Sequence, residues 1–468
     1  MELIKLKENP EFEAKKGHTY MQWIAAIIAN SSLLTYGLQV GWISPMTKVL
    51  QSESSPAGEP LSDYTMGLVA SLLPISAMVV VPLYALVADK YGRKAGIMCI
   101  TVPHAISWLL KLFCPSPTTL IIARVCSGIA AGGCFNVIPM YTKEISQDQI
   151  RGLLGSLLVL LFNVGALLMF VLGAYCDYYT VLYIVTGIPF LSLLFIMICP
   201  ESPGFLVKKG NNDEAVKVIA KLRGLSPDDK SVQSEVETMR KEEEYYKTLP
   251  ALSVMVIFKD RAWRKGYLLA ALMMTAQTFC GNFAVLTYGS TILEGTGVQF
   301  DPELVAISFP AIMLVGSIVS IMVIERIGRR MILGSSFAVS ACAQGCLATV
   351  LLLQYQGYSA PGWLSLLVIV ATMFVYSYGV LPVPYIIMAE MFNIQIRAKL
   401  LSMLVAQAWL MTFIQLAVFG PLTSTFGMHT TFFIFAAINL FGALLMLVFM
   451  PETRGRSVEE IEMILRDK

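Results

Sequence analysis

The sequence predicts an all-α membrane protein with twelve transmembrane helices in two six-helix halves and a cytoplasmic helical insertion between them. Composition is the first reason. The 468 residues are 56% hydrophobic and only 14% charged, with a mean hydropathy of +0.67, whereas soluble domains carry about 25% charge. About 262 apolar residues cover the roughly 240 that twelve spans of about 20 residues require. Repetition is the second reason. Asp89-Lys90-Tyr91-Gly92-Arg93-Lys94 and Glu325-Arg326-Ile327-Gly328-Arg329-Arg330 share the order acid, base, apolar, Gly, base, base. Each copy lies between two apolar runs, so each reads as a charged hairpin whose glycine lets the backbone reverse. Glu144 and Arg151 repeat as Glu390 and Arg397 at the same seven-residue spacing. The third reason is the only long polar stretch, 201–262, which leaves six apolar runs on either side. Matched pairs at matching offsets in a hydrophobic chain point to a duplicated membrane transporter.

Spans are expected at 20–45, 62–88, 95–113, 118–142, 152–174 and 179–199, then at 264–290, 302–324, 331–353, 362–389, 399–421 and 428–450. With both termini inside, only Lys48, Lys111 and Arg124 of the 34 Lys and Arg fall outside or near the outer rim. That bias sets the orientation. The chain divides into a cytoplasmic segment 1–19, a half at 20–200, a linker at 201–262, a second half at 263–450 and a cytoplasmic tail at 451–468. In the linker, Asn211-Asn212-Asp213-Glu214 begins a helix ending near Gly224. Ser226-Pro227-Asp228-Asp229 looks like another helix start, with a cap, a proline and acids at the positive end of the dipole.

Several chemistries find no support. Nine cysteines lie in or beside apolar runs without a CxxC pair and read as small hydrophobes, and His18, His104 and His429 suggest no metal site. No cofactor is implied, and no nucleophile–base set appears within the spans. The net charge of +2 does not suggest nucleic acid, since the basic residues line the membrane rim. Residues 1–18 mix acids and lysines without an apolar core, so the first span is expected to act as its own insertion signal. Helix breakers stand out in two places. Gly281 follows Gln277 in span seven, and Pro382 and Pro384 follow Gly379 in span ten. Breaks at corresponding places in the second half suggest a gate. Gly128 and Gly132 suggest close helix packing.

From Gly37 to about Glu462 the residues resemble the sugar porter family of the major facilitator superfamily. The resemblance rests on Asp89 with Gly92-Arg93-Lys94, Arg124 with Gly128, Pro139-x-Tyr141-x-x-Glu144 running to Arg151, and Pro200-Glu201-Ser202-Pro203. In the second half it rests on Glu325 with Gly328-Arg329-Arg330, Pro382-x-Pro384 leading to Glu390 and Arg397, and Pro451-Glu452-Thr453-Arg454-Gly455. Gly37 through Gly41-Trp42-Ile43-Ser44-Pro45 is most similar to the insect trehalose-transporter branch. The resemblance implies a plasma-membrane facilitator with both termini cytoplasmic. It also implies a gating network of salt bridges that ties the halves together in the outward-open state and breaks when the inner gate opens. Asp89, Arg93, Glu144, Arg151 and Glu201 would serve the first half; Glu325, Arg329, Arg330, Glu390, Arg397 and Glu452 would serve the second.

The implied sugar contacts are sparse. Gln277 and Thr278 stand at two span-seven positions, Phe283 replaces an asparagine, Thr287 replaces a tyrosine, and Tyr288 is retained. Val159, Met313 and Ala408 fall where the family carries amides, and Tyr385 where it carries tryptophan, while Trp409 remains. Substrate-site candidates are therefore Gln277, Thr278, Phe283, Tyr288, Tyr385 and Trp409. Gln39 occupies the first-span position where proton-coupled members carry aspartate, and no Asp or Glu lies near the middle of a span, which implies uniport. The expected function is facilitated passage of a sugar such as trehalose or a hexose. The alternatives are a polyol or other small organic solute, or a non-transporting sensor on the same fold. The short tails of about 18 residues disfavour the sensor. The sequence is silent on oligomeric state.

Overall fold

The computed structural model describes residues 17–248, 258–296, 301–358, 361–392 and 394–467, and all regular structure among them is helical. Residues 1–16 of the expected N-terminal segment and the side chain of Glu325 lie outside the described residues. Among the described residues, twelve helices are long and apolar enough to cross a membrane. Those of the first half are Tyr20–Leu50, Asp63–Tyr91, Arg93–Phe113, Pro117–Ile145, Asp148–Tyr175 and Tyr178–Ile198. Those of the second half are Arg261–Thr287, Pro302–Ile324, Arg329–Tyr355, Gly362–Met391, Lys399–Phe426 and Met428–Phe449. They are numbered spans 1 to 12 below.

Packing repeats as the sequence does. Spans 1 and 5 pack together as spans 7 and 11 do, 2 with 4 as 8 with 10, and 3 with 6 as 9 with 12. The halves meet through two equivalent pairs, span 2 against span 11 and span 5 against span 8. Gly128 permits the 2–4 contact, because a Cβ there would lie 2.2 Å from the Leu73 carbonyl oxygen, and Gly132 does the same against Ala77 at 2.6 Å.

Between the halves lie helices Pro203–Lys208, Asn212–Arg223 and Lys230–Thr248, closed on a small core of Leu206, Val207, Ala215, Ile219, Val232 and Val236. The last starts later than Ser226-Pro227 suggested. Asp229, not Ser226, caps it, its Oδ1 accepting from Ser231 N at 2.9 Å. Arg223 fastens this insertion to the first half, donating to the Ile145 carbonyl at 2.9 Å and pairing with Glu235 at 2.6 Å. The start of span 1 lies beside it, with His18 N donating to the Arg223 carbonyl at 2.6 Å. The C-terminal helix Val458–Asp467 rests on the start of span 7. There Trp263 donates to Glu462 at 2.8 Å and Arg466 pairs with Asp260 at 3.1 Å. Insertion and both described termini thus share one face, called here the insertion face.

Candidate functional site

Two collars on the insertion face are built from the duplicated motif. Gly92 and Gly328 each end one span and begin the next with nearly the same backbone, φ +109° and +103°, a region open to glycine alone without strain. A Cβ at Gly92 would also strike Glu201 Oε2 at 2.1 Å, and one at Gly328 would strike Glu452 Oε2 at 2.8 Å. The bare glycine therefore lets a carboxylate lie over the start of the next helix. Glu201 accepts from the amides of Arg93 and Lys94 at 2.9 and 3.1 Å; Glu452 accepts from those of Arg329 and Arg330 at 2.9 and 3.1 Å. Each acid meets the positive end of a helix dipole. Burial pushes the Glu201 carboxyl above its usual range, and its backbone N–H bonds oppose that shift.

The arginines complete each collar. Arg93 reaches Glu144 from Nε and Nη2, both at 3.0 Å, and Arg329 reaches Glu390 at 3.2 and 2.8 Å. Ser202 donates to Glu144 Oε2, which also accepts from Arg93 Nε, and Thr453 donates to Glu390 Oε2 at 2.6 Å. Asp89 pairs with Lys208 at 3.0 Å and lies 3.5 Å from Arg93.

Two expectations are corrected here. Arg151 pairs with Asp148 at 2.6 Å and donates to the Ser146 carbonyl, rather than reaching Glu144. Arg397 donates to the Phe392 carbonyl at 3.0 Å, five residues back as in Arg151 and Ser146. In both places the arginine closes the interspan turn, leaving the glutamate to the hairpin arginine. The described collar pairs close within a half, because each acid stands at the foot of a neighbouring helix of its own bundle.

The halves are joined elsewhere. On the face opposite the insertion, Ser290 N donates to Ser44 Oγ at 3.1 Å and Ser290 Oγ to the Ser44 carbonyl at 2.7 Å. Lys48 lies 3.9 Å from Glu303. Deeper in, fully buried Asn163 of span 5 donates from Nδ2 to the Met313 carbonyl of span 8 at 3.2 Å and to Ser377 Oγ of span 10 at 2.9 Å. Ser377 sits in a π-helical turn, Tyr376–Val380. On the insertion face, Val137–Ile145 and Val383–Met391 pack chiefly within their own halves.

Between the halves lies a central cavity enclosing about 670 Å³ of empty space, counted with its opening to solvent. Tyr36, Phe135, Leu158, Val159 and Phe162 line it from the first half. Gln277, Thr278, Phe283, Tyr376, Leu381, Tyr385, Val405, Ala408, Trp409 and Thr412 line it from the second. Rings bridge the two sides, with Phe135 stacked on Tyr385 at 5.9 Å and Tyr36 edge-on to Trp409 at 6.1 Å. Tyr36 also stacks on Phe162 at 5.3 Å.

The broken spans form this lining. Gly281 has φ +86°, and a Cβ there would lie 2.4 Å from the Phe435 ring. The break frees the Cys280 carbonyl, which accepts from Gln344 at 2.7 Å and Asn439 at 3.0 Å, as buried backbone in a membrane requires. Gln277, just before the break, is 5% exposed. Its Nε2 reaches the Leu381 carbonyl at 3.4 Å, and its Oε1 has no partner among the described residues. Thr278 and Thr412 commit their hydroxyl protons to their own helices, at 2.9 Å to the Met274 carbonyl and 2.8 Å to the Ala408 carbonyl.

Five of the six substrate-site candidates line the cavity. Tyr288 does not: it ends the short helix Asn282–Thr287 and stacks on Phe419 at 4.9 Å, beside the Ser44–Ser290 closure. The break at Gly281 redirects the rest of span 7, so a residue seven positions further serves the closure. Sequence reasoning missed Tyr36, Phe135, Phe162, Tyr376 and Asn163. The internal repeat held a signal for part of this set. A shift of 246 residues, that from Glu144 to Glu390, carries Phe135 to Leu381, Val159 to Val405 and Phe162 to Ala408, and all six line the cavity.

Two of the three cations expected outside or near the outer rim, Lys111 and Arg124, are instead enclosed in the first half. Lys111 is fully buried, donating to Gln39 Oε1 at 2.5 Å and lying 4.2 and 4.1 Å from the ring centres of Trp42 and Trp108. Arg124 donates to the carbonyls of Gln39 and Val69 at 2.7 and 2.8 Å. A neutral amide and two aromatic faces thus hold the ammonium.

Two pseudo-equivalent bundles, a cavity between them and a collar in each define the major facilitator fold. The chain belongs to the sugar (and other) transporter family, whose model matches residues 24–465. It is 27% identical over 447 residues to the facilitated trehalose transporter Tret1 of Anopheles gambiae, covering 95% of this chain and 56% of that protein. Against the same transporter of Culex quinquefasciatus it is 27% identical over 446 residues, covering 95% of this chain and 86% of the other. The chain therefore spans little more than half of the mosquito relative from Anopheles. Among solved structures, the proton:xylose symporter XylE bound to 6-bromo-6-deoxy-D-glucose superposes with TM-score 0.77 at 21% identity, covering 95% of this chain and 99% of that one. A partially occluded inward-open form of XylE from E. coli gives TM-score 0.76 at 20% identity, covering 94% and 100%. At that identity the likeness concerns the fold.

Proposed function

We propose that the chain is a facilitative carrier that moves a sugar, such as trehalose or a hexose, down its gradient by alternating access. The observation that carries this reading is the cavity, lined by repeat-related residues of both halves and shut on one face by the Ser44–Ser290 bonds. A lining shared by two rocking halves can be offered to either face in turn. The insertion face is assigned to the cytoplasm of the plasma membrane, where the excess of Lys and Arg belongs. With Ser44 and Ser290 bonded, the described form faces inward. Each collar braces the foot of one half so that it moves as a unit. Gln39, engaged with Lys111, offers no carboxylate for a coupling proton.

The loss of family amides at Val159, Met313 and Ala408 favours a second reading, in which the same machine moves a polyol or another small organic solute. The deciding experiment is counterflow into liposomes containing the full chain, using labelled trehalose, glucose, xylose and sorbitol. Saturable exchange of a sugar is expected. Exchange of sorbitol alone would support the second reading, and exchange of none would overturn carriage of these solutes.

A further inference from the structure

The free polar groups of the cavity are few and come from particular places. Gln277 Oε1 is buried without a partner, and the hydroxyls of Tyr36, Tyr376 and Tyr385 carry no hydrogen bond to any described residue. These four come from spans 1, 7 and 10. The face that span 5 turns to the cavity, Leu158, Val159 and Phe162, has no hydrogen-bond donor, and span 11 adds only the indole N–H of Trp409. Val159 and Ala408 stand there, and the one hydroxyl, of Thr412, is committed to its own helix. A free sugar carries hydroxyls all around its ring. Those facing Val159 and its span 5 neighbours would lose water without gaining a partner, a penalty incurred by each unmatched group.

We propose that the preferred solute is an amphipathic glycoside, a sugar ring bearing an apolar substituent, rather than a free sugar. Its hydroxyl edge meets Gln277 and the three phenols, and its apolar part lies against Val159 and its span 5 neighbours. This rests on the sugar-carrier reading and names the class of sugar it takes. Apolar surface removed from water then favours binding where an unmatched hydroxyl opposes it.

The test is calorimetric binding to the full chain in lipid nanodiscs, so that no glycoside detergent competes. Phenyl β-D-glucopyranoside is expected to bind roughly ten-fold or more tightly than glucose or trehalose. Val159→Gln, which returns an amide to span 5, is expected to narrow that ratio while leaving thermal unfolding unchanged. Glucose or trehalose binding within about three-fold of the phenyl glycoside would overturn the inference and leave the sugar reading standing. Failure of every sugar and glycoside to bind, with sorbitol still exchanged in liposomes, would overturn both.

Discussion

Gln277 concentrates the residue-scale chemistry, because its carbonyl oxygen is buried with no described partner. Such an acceptor costs about 1–3 kcal/mol until a donor arrives, so a bound hydroxyl recovers much of that cost. Gln277→Ala is therefore expected to raise the KM for the carried solute several-fold while leaving thermal stability nearly unchanged. An unaltered KM for every exchanged solute would remove Gln277 from the binding surface. Its companions in the cavity are mostly rings, which fit ring faces and reject hydroxyls that point at them. Tyr288 shows how local the assignment is. It is retained from the family pattern, yet it packs on Phe419 at the closed face instead of meeting the cavity.

The collar is the unit at the scale of elements. Arg93 and Arg329 are each 7% exposed at the side chain, while Glu144 and Glu390 are 22% and 28% exposed. These pairs lie between the exposed and fully buried cases, so removing the arginine is expected to destabilise its half by about 1–3 kcal/mol. Arg93→Ala and Arg329→Ala should lower the unfolding temperature by similar amounts, since each arginine pairs with the glutamate at the same place in its own half. A loss confined to one variant would show the two collars to be inequivalent. The Asn163 contact makes a different prediction, because it joins spans of opposite halves. A buried neutral hydrogen bond contributes about 0.5–1.5 kcal/mol. Asn163→Leu is therefore expected to shift the balance of conformers toward the form open at Ser44 by roughly three- to ten-fold. Labelling of a cysteine placed at Ser290 by an impermeant thiol reagent reports this, in a background lacking Cys114 and Cys176. Ser377→Ala should give a smaller shift that does not add to that of Asn163→Leu. Full additivity would show that the bond does not hold the halves together.

The whole molecule is two copies of one bundle facing each other, and its energetics follow from what lies buried between them. No acid lies near the middle of a span, and the buried cations Lys111 and Arg124 are held by Gln39 and by backbone carbonyls. A carrier without a titratable carboxylate in that position has nothing to exchange a proton with on each cycle. An imposed pH gradient is accordingly expected to drive no accumulation of the carried solute in liposomes. Accumulation abolished by a protonophore would show that another group couples transport to protons.

Hydrophobic runs, the duplicated hairpin and the polar stretch at 201–262 were enough to determine twelve helices, two halves and an insertion. Those features act locally: a run of about 20 apolar residues has one low-energy fate in a bilayer, and a hairpin glycine constrains only its neighbours. The breaks at Gly281 and before Val383, where Pro382 and Pro384 stand, were legible for the same reason. Partners across the fold were not. The seven-residue spacing of Glu144 and Arg151 suggested a pair. The helix feet instead brought Arg93 to Glu144, a hairpin away in sequence and 3.0 Å away in space. Lys111 read as a rim residue, yet the packing of spans 1 and 3 placed it between two tryptophan rings. Asn163 looked like any polar residue in an apolar run until spans 5, 8 and 10 met around it. Residue type and local order set which helices form. Only their mutual packing decided which buried polar groups find each other, because a buried hydrogen bond depends on ångström-scale placement that no single span specifies.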